Sequence, residues 1–240
     1  MTNTNTQAIP FTTLTQAIDL HDCLHGFQAG RGTGTATIEA KLVQQLAYID
    51  QDPLFGVFLD LRKAYDSMDR GRCIEIMRAY GVGENLLRLL GNFWDKAELV
   101  CKAGGYYHRE SFRAGRGVTQ GGPVSPRIFN ILVDAVVREW LWKLIDEGKD
   151  EVVANGLGEW VQYLLADFYA DDALIQCRHA HVLQRMIDSI VGLFERVGLV
   201  TNTDKTKTMV CVPGRIRTHL LDNIYANLME GLVNARQWRK

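Results

Sequence analysis

Asp171 and Asp172 sit side by side in the run Asp167-Phe168-Tyr169-Ala170-Asp171-Asp172-Ala173-Leu174-Ile175, between apolar stretches that read as short strands. Adjacent carboxylates repel, and a strand end is a poor place to bury them. A hairpin tip that holds both against a divalent cation resolves the conflict, because the ion inverts the local charge logic. Taken alone, the pair fits a solvated turn equally well. A second apolar stretch far upstream, Val57-Phe58-Leu59-Asp60, also ends in a carboxylate. Three aspartates at the ends of two strands are the acid set that two-metal phosphoryl transfer requires. Hard oxygen ligands suit Mg2+, and neither His nor Cys is needed. His21, Cys23 and His25 form a different, alternating group that could hold a metal. No second ligand pair follows it, so a plain polar loop is the stronger reading there.

The elements that must carry these residues are of mixed type. Residues 54–61 read as a strand, and strands over 161–168 and 173–177 flank the Asp pair. A helix over 35–49 shows apolar positions Ile38, Leu42, Val43 and Leu46. Asp69 suits the N-cap of a helix over 70–80 that stops at Gly81. A second helix over 84–94 places Leu86, Leu87, Leu90 and Phe93 on one face. Residues 97–103 and 106–113, joined by Gly104-Gly105, read as a hairpin. A long helix from Ser125 to Ile145 carries Ile128, Phe129, Leu132, Val136 and Trp140, and one over 180–197 turns Leu183, Met186, Ile187, Ile190 and Phe194 inward. A strand at 208–212 and an amphipathic helix near 218–233 follow. Helices and strands do not alternate regularly, which favours α+β with an antiparallel sheet over a doubly wound parallel one.

Bulk properties narrow the class. The five cysteines are scattered with no Cys-x-x-Cys spacing, which argues for reduced thiols in an intracellular protein; a nuclear location is compatible with this. No signal-peptide pattern or membrane-length apolar run is visible, so no membrane partner is expected. The formal net charge is −1, but it is unevenly spread. Residues 61–130 carry twelve Lys/Arg against seven Asp/Glu, and residues 201–240 carry seven against three, whereas 131–200 is acidic. Basic walls around an acidic floor would give this asymmetry in a polymer-binding groove. Chance clustering on a solvated surface would give it too.

Five runs in order carry a family resemblance. They are His25-Gly26-Phe27-Gln28-Ala29-Gly30-Arg31-Gly32-Thr33, Phe58-Leu59-Asp60-Leu61-Arg62-Lys63-Ala64-Tyr65-Asp66, the stretch from Gly117-Val118-Thr119-Gln120-Gly121-Gly122-Pro123 to Asn130, Phe168-Tyr169-Ala170-Asp171-Asp172, and Gly198-Leu199-Val200-Thr201 through Lys207. Together they resemble the core of a reverse transcriptase of the non-LTR retrotransposon and group II intron type. The resemblance implies a right-hand polymerase palm with partial fingers. It divides the chain into a polar N-terminal segment (1–24), a fingers/palm domain (25–212) and a basic amphipathic C-terminal helix (213–240). That last segment would begin a thumb or serve association.

The resemblance also implies roles. Asp60, Asp171 and Asp172, with the Leu61 carbonyl, would hold two Mg2+ ions, Mn2+ being able to substitute. Lys205 would lie near the leaving pyrophosphate, to shield its charge or donate a proton. Tyr65 would lie under the sugar of an incoming dNTP, where its ring excludes a 2′-hydroxyl; a core aromatic is the bland reading. Gln120 and Gly121 would face the templating base and nucleotide, and Arg31 a phosphate. Position 122, commonly Asp in the family pattern, is Gly here. The implied partners are an RNA template, a DNA or RNA primer and dNTPs.

Two departures accompany the match. The first 24 residues contain no Lys or Arg, so no basic fingers segment precedes the first run, and no Phe-Leu-Gly primer-grip run follows Lys207. Homo-oligomerisation, or a separate segment supplying fingers or thumb, would supply the missing grip. An RNA-directed DNA polymerase core is the leading reading. The alternatives are a non-catalytic RNA-binding remnant of a retroelement and another two-metal enzyme on a palm-like sheet, such as a nucleotidyl cyclase.

Overall fold

The structure, a computed structural model, describes residues 18–119, 121–122, 124–147 and 166–213. Its centre is β1 (Leu54–Asp60), paired antiparallel on one side with β5 (Asp172–Cys177) and on the other with β6 (Lys207–Cys211). The strand β4 (Ala166–Tyr169) adds outside β5, giving the antiparallel order β4-β5-β1-β6. Alternation sorts the two faces of β1. Phe55, Val57 and Leu59 enter the main core, while Phe58 is exposed and Asp60 is only partly covered on the other face.

Helices cover the first face. They are α3 (Arg70–Ala79), α4 (Glu84–Lys96), α5 (Ser125–Glu147) and α6 (Ala180–Arg196), entered through the short α2 (Ala64–Ser67). Asp69 caps α3 as expected, its carboxylate accepting from the Arg72 N–H at 2.9 Å. The apolar rows read from α5 and α6 are buried, and Trp140 joins the two helices by donating Nε1–H to the Met186 carbonyl at 3.0 Å. Its ring also meets Phe168 of β4 edge-on, so the helical layer is packed directly against the strand that leads to the Asp pair.

The remaining helix, α1 (Thr33–Asp50), lies on the opposite face, where Leu54 packs with Val43 and Ala47. Of the apolar row expected there, Val43 is buried and Leu46 partly covered, whereas Ile38 and Leu42 are exposed; Ala40 and Ala47 complete the buried face with Val43. Small side chains let the helix axis approach the sheet closely, so the larger residues are left outside. Phe93 of α4 is likewise exposed, and Trp94 takes the inward place beside Leu87 and Leu90.

β2 (Leu99–Ala103) and β3 (Tyr106–Phe112) form the expected hairpin, a two-stranded sheet exposed along both strands. The packed unit extends upstream of residue 25, because Cys23 and Leu24 are buried in the core and Ile18 and Leu20 lie against it. The expected strand residues 161–165 and the helix near 218–233 lie outside the described residues. Among the described residues, no helix is long and apolar enough to cross a membrane.

Candidate active site

The antiparallel register sets Asp60, the last residue of β1, directly opposite Asp172, the first of β5. Asp171 occupies the tight turn between β4 and β5, and its carbonyl accepts from the Leu61 N–H at 3.2 Å. Residues far apart in sequence thus meet at one end of the sheet. Burial first, then the negative charges of Asp171 and Asp60, push the Asp172 carboxyl above its ordinary value, and the Lys205 ammonium opposes the shift. Mutual repulsion among oxygen donors is the condition that a hard divalent cation relieves, so this set fits Mg2+.

The turn is held from behind by the first sequence run. Leu24 forms a parallel bridge with Phe168, whose N–H donates to the Cys23 carbonyl at 2.8 Å, and the His25 N–H donates to the Phe168 carbonyl at 2.7 Å. A Cβ on Gly26 would lie 2.8 Å from the Ala170 backbone nitrogen. Only glycine lets the two chains come this close. Ala170 itself has φ 54°, the left-handed geometry of the turn that presents the Asp pair.

The last run straps itself along the end of β1. The Asn202 N–H donates to the Asp60 carbonyl and the Arg62 N–H to the Val200 carbonyl, both at 2.7 Å. This brings Lys205 to the site, with Nζ 3.8 Å from Asp60 Oδ1 and its side chain largely exposed.

Tyr65 packs its ring on Phe129 of α5, with centroids 4.7 Å apart and planes 26° apart. Burial, followed by the charge of Asp171, pushes its hydroxyl up to about 12, and that hydroxyl is buried with no hydrogen-bond partner. The ring is backed by the third run. The Val118 N–H donates to the Tyr65 carbonyl at 2.8 Å, and a Cβ on Gly117, at φ 75°, would lie 2.5 Å from that same carbonyl oxygen.

Between α1 and the open face of the sheet lies a cleft of about 820 Å3, lined by Lys41, Phe58, Asp60, Tyr169, Asp172 and Lys207 among others. Of the site residues expected from sequence, Asp60, Leu61, Asp171, Asp172, Lys205 and Tyr65 gather at this end of the sheet. Gly121 stands in its loop at φ 82° with open space around it, and Gln120 lies outside the described residues. Arg31 is elsewhere, held by the Asp22 carboxylate and carbonyl. The His21-Cys23-His25 group does not close as a unit. His21 Nδ1 is 3.1 Å from Cys23 Sγ, whereas the His25 imidazole turns toward Thr35, Glu39 and Asp167. Glu39 and Asp167 went unmarked in the sequence. A carboxylate flanked by buried apolar residues in the strand before the Asp pair was the available signal.

A four-stranded antiparallel sheet, a layer of helices on one face, the single helix α1 on the other, and acids on the hairpin turn and central strand make up the α+β palm of a right-hand polymerase. The family described as Reverse transcriptase (RNA-dependent DNA polymerase) matches residues 5–234, and the chain belongs to that family. Among curated relatives, it is 26% identical over 202 residues to the Pol polyprotein of the type-2 retrotransposable element R2DM of Drosophila melanogaster, covering 84% of this chain and 18% of that protein. It is 25% identical over 196 residues to the R2 polyprotein of Nasonia vitripennis, covering 78% of this chain and 18% of that protein. Such relatives place the resemblance on the non-LTR side. The chain spans less than a fifth of the length of either. Among solved structures, telomerase from Candida albicans, in complex with a fragment of telomeric RNA, superposes with a TM-score of 0.59 at 14% identity, over 83% of this chain and 34% of that one. Apo telomerase from Candida tropicalis gives 0.57 at 15%, over 85% and 35%. These two speak for the fold.

Proposed function

We propose that this chain catalyses RNA-directed DNA synthesis, transferring a nucleotidyl group from a dNTP to a primer 3′-hydroxyl on an RNA template. The observation that carries the reading is the meeting of Asp60 with Asp171 and Asp172 at one end of the sheet, beside Tyr65 and Lys205. The R2 polyprotein relatives and the RNA-bound telomerase neighbour favour RNA as the template.

Asp60, Asp171 and Asp172, with the Leu61 carbonyl, would hold two Mg2+ ions, for which Mn2+ can substitute. When bound, such ions lower the pKa of an attacking hydroxyl and neutralise a leaving pyrophosphate. The chain's own groups do the rest. Lys205, exposed beside Asp60, is free to swing toward a triphosphate and to deliver charge or a proton to the leaving oxygen. Tyr65, braced by Phe129 on one side and by Gly117-Val118 behind, cannot retreat from a bulkier sugar, and it selects deoxynucleotides by exclusion. Lys41, Lys205 and Lys207 give the cleft basic walls for a phosphate backbone.

The test is extension of a DNA primer on an RNA template with dNTPs and Mg2+, with the Asp171→Asn chain alongside. Template-dependent extension by the unmodified chain alone supports the reading. RNA binding without extension would assign it to the non-catalytic class instead.

A further inference from the structure

We propose that His25, Glu39 and Asp167 form a second metal site, distinct from the strand-end aspartates, for a transition-series divalent cation of the Zn2+ kind. Each residue comes from a different element: the loop before α1, α1 itself, and β4. One donor atom from each lies within 4.8 Å of the other two. His25 Nε2 is 3.3 Å from Asp167 Oδ1 and 3.4 Å from Glu39 Oε2. These separations exceed the usual N–H···O distance of about 2.9–3.0 Å. They match the ligand-to-ligand edge of about 3.3–3.4 Å that a tetrahedron with bonds of about 2.0–2.1 Å requires.

The proton on the imidazole points the same way. The Thr35 hydroxyl donates to the Gly32 carbonyl at 2.8 Å, so its oxygen is left to accept from His25 Nδ1–H at 2.9 Å. With the proton on Nδ1, the Nε2 lone pair faces two carboxylates. That arrangement is the habit of metal-bound histidines, whose second nitrogen donates to an outer partner that fixes the ring. The site is also short of partners. His25 is fully buried and Asp167 is 5% exposed, yet His25 Nε2 and both Asp167 carboxylate oxygens find no hydrogen-bond partner outside the three-residue group. Burying such groups unpaired costs several kcal/mol in principle, and one cation would satisfy all three residues. Glu39, the most exposed of the three, leaves a route of entry. An imidazole among the donors favours Zn2+ over Mg2+.

The site would act by position. It ties the 21–31 segment and α1 to β4, the strand that delivers Asp171 and Asp172, and adds to the backbone bonds at Cys23, His25 and Phe168. The experiment uses the full chain carrying Asp171→Asn, to weaken binding at the other acids, stripped with EDTA and titrated calorimetrically with Zn2+ in excess Mg2+. One equivalent bound, with a rise in melting temperature, is expected, and adding Glu39→Gln should weaken it at least about tenfold. Co2+ in place of Zn2+ should shift the His25 ring resonances paramagnetically in the Glu39-intact chain, a readout that does not depend on the variant folding. Absence of stoichiometric uptake, uptake that survives Glu39→Gln unchanged, or His25 resonances that Co2+ leaves in place would overturn the proposal.

Discussion

At the scale of single residues, the acids and Tyr65 have separable roles. Asp171→Asn keeps the shape of the turn while removing a charge, so primer extension should fall by at least about a hundredfold while circular dichroism is unchanged. Asp172→Asn should behave alike in activity, yet raise metal-free stability, because its carboxyl is destabilised by burial and by Asp171 and Asp60. Urea unfolding in EDTA reads that sign, and a lower midpoint would contradict the repulsion argument. Tyr65→Val should shift the ratio of deoxy- to ribonucleotide incorporation toward ribonucleotides by about 10–200-fold, the range for a steric pocket change. It should also cost about 1–3 kcal/mol for the lost packing on Phe129. An unchanged ratio with the stability loss alone would make Tyr65 a packing residue.

At the scale of elements, the site depends on close backbone approaches. A Cβ on Gly117 would meet the Tyr65 carbonyl and the Asp66 backbone, in a left-handed conformation besides. Gly117→Ala should therefore destabilise by at least about 1–3 kcal/mol, and should raise KM for dNTP as α2 is displaced. Chemical denaturation together with steady-state kinetics checks both, and wild-type values would mean that the loop does not brace Tyr65. The rows of α5 and α6 were legible because each helix is long and buries one wide stripe. The inward face of α1 was legible only in part. Of Ile38, Leu42, Val43 and Leu46, Val43 reaches the sheet-side contact and Ile38 and Leu42 are exposed; Ala40 and Ala47 complete that face, and a preference for small residues at a tight interface leaves little trace in hydrophobicity.

At the scale of the whole molecule, function needs charge arranged around an acidic floor. Lys41 from α1 and Lys207 from β6 reach the cleft from opposite walls. If both contact phosphates, the double variant Lys41→Ala/Lys207→Ala should weaken binding of an RNA–DNA primer–template. It should also flatten the slope of log affinity against log salt by roughly 0.7–0.9 per lost contact. Fluorescence anisotropy across a salt series measures this. A parallel line at lower affinity would assign the lysines to packing, and no change would place the duplex elsewhere.

The acids, their order and the strands that end in them are legible in the amino-acid order, because Asp60, Asp171 and Asp172 stand at abrupt boundaries between apolar runs and turns. That order also determined the Asp69 cap and the hairpin across Gly104-Gly105, since caps and glycine turns depend only on neighbouring residues. Convergence was another matter. That β1 lies between β5 and β6, with Asp60 opposite Asp172, follows from antiparallel register between segments far apart in the chain, and no local pattern encodes a register. The grouping of His25 with Glu39 and Asp167, rather than with its sequence neighbours His21 and Cys23, was decided in the same way. Strand alternation and the helical turn aim side chains from three elements into one small volume, and only the tertiary structure brings those elements together.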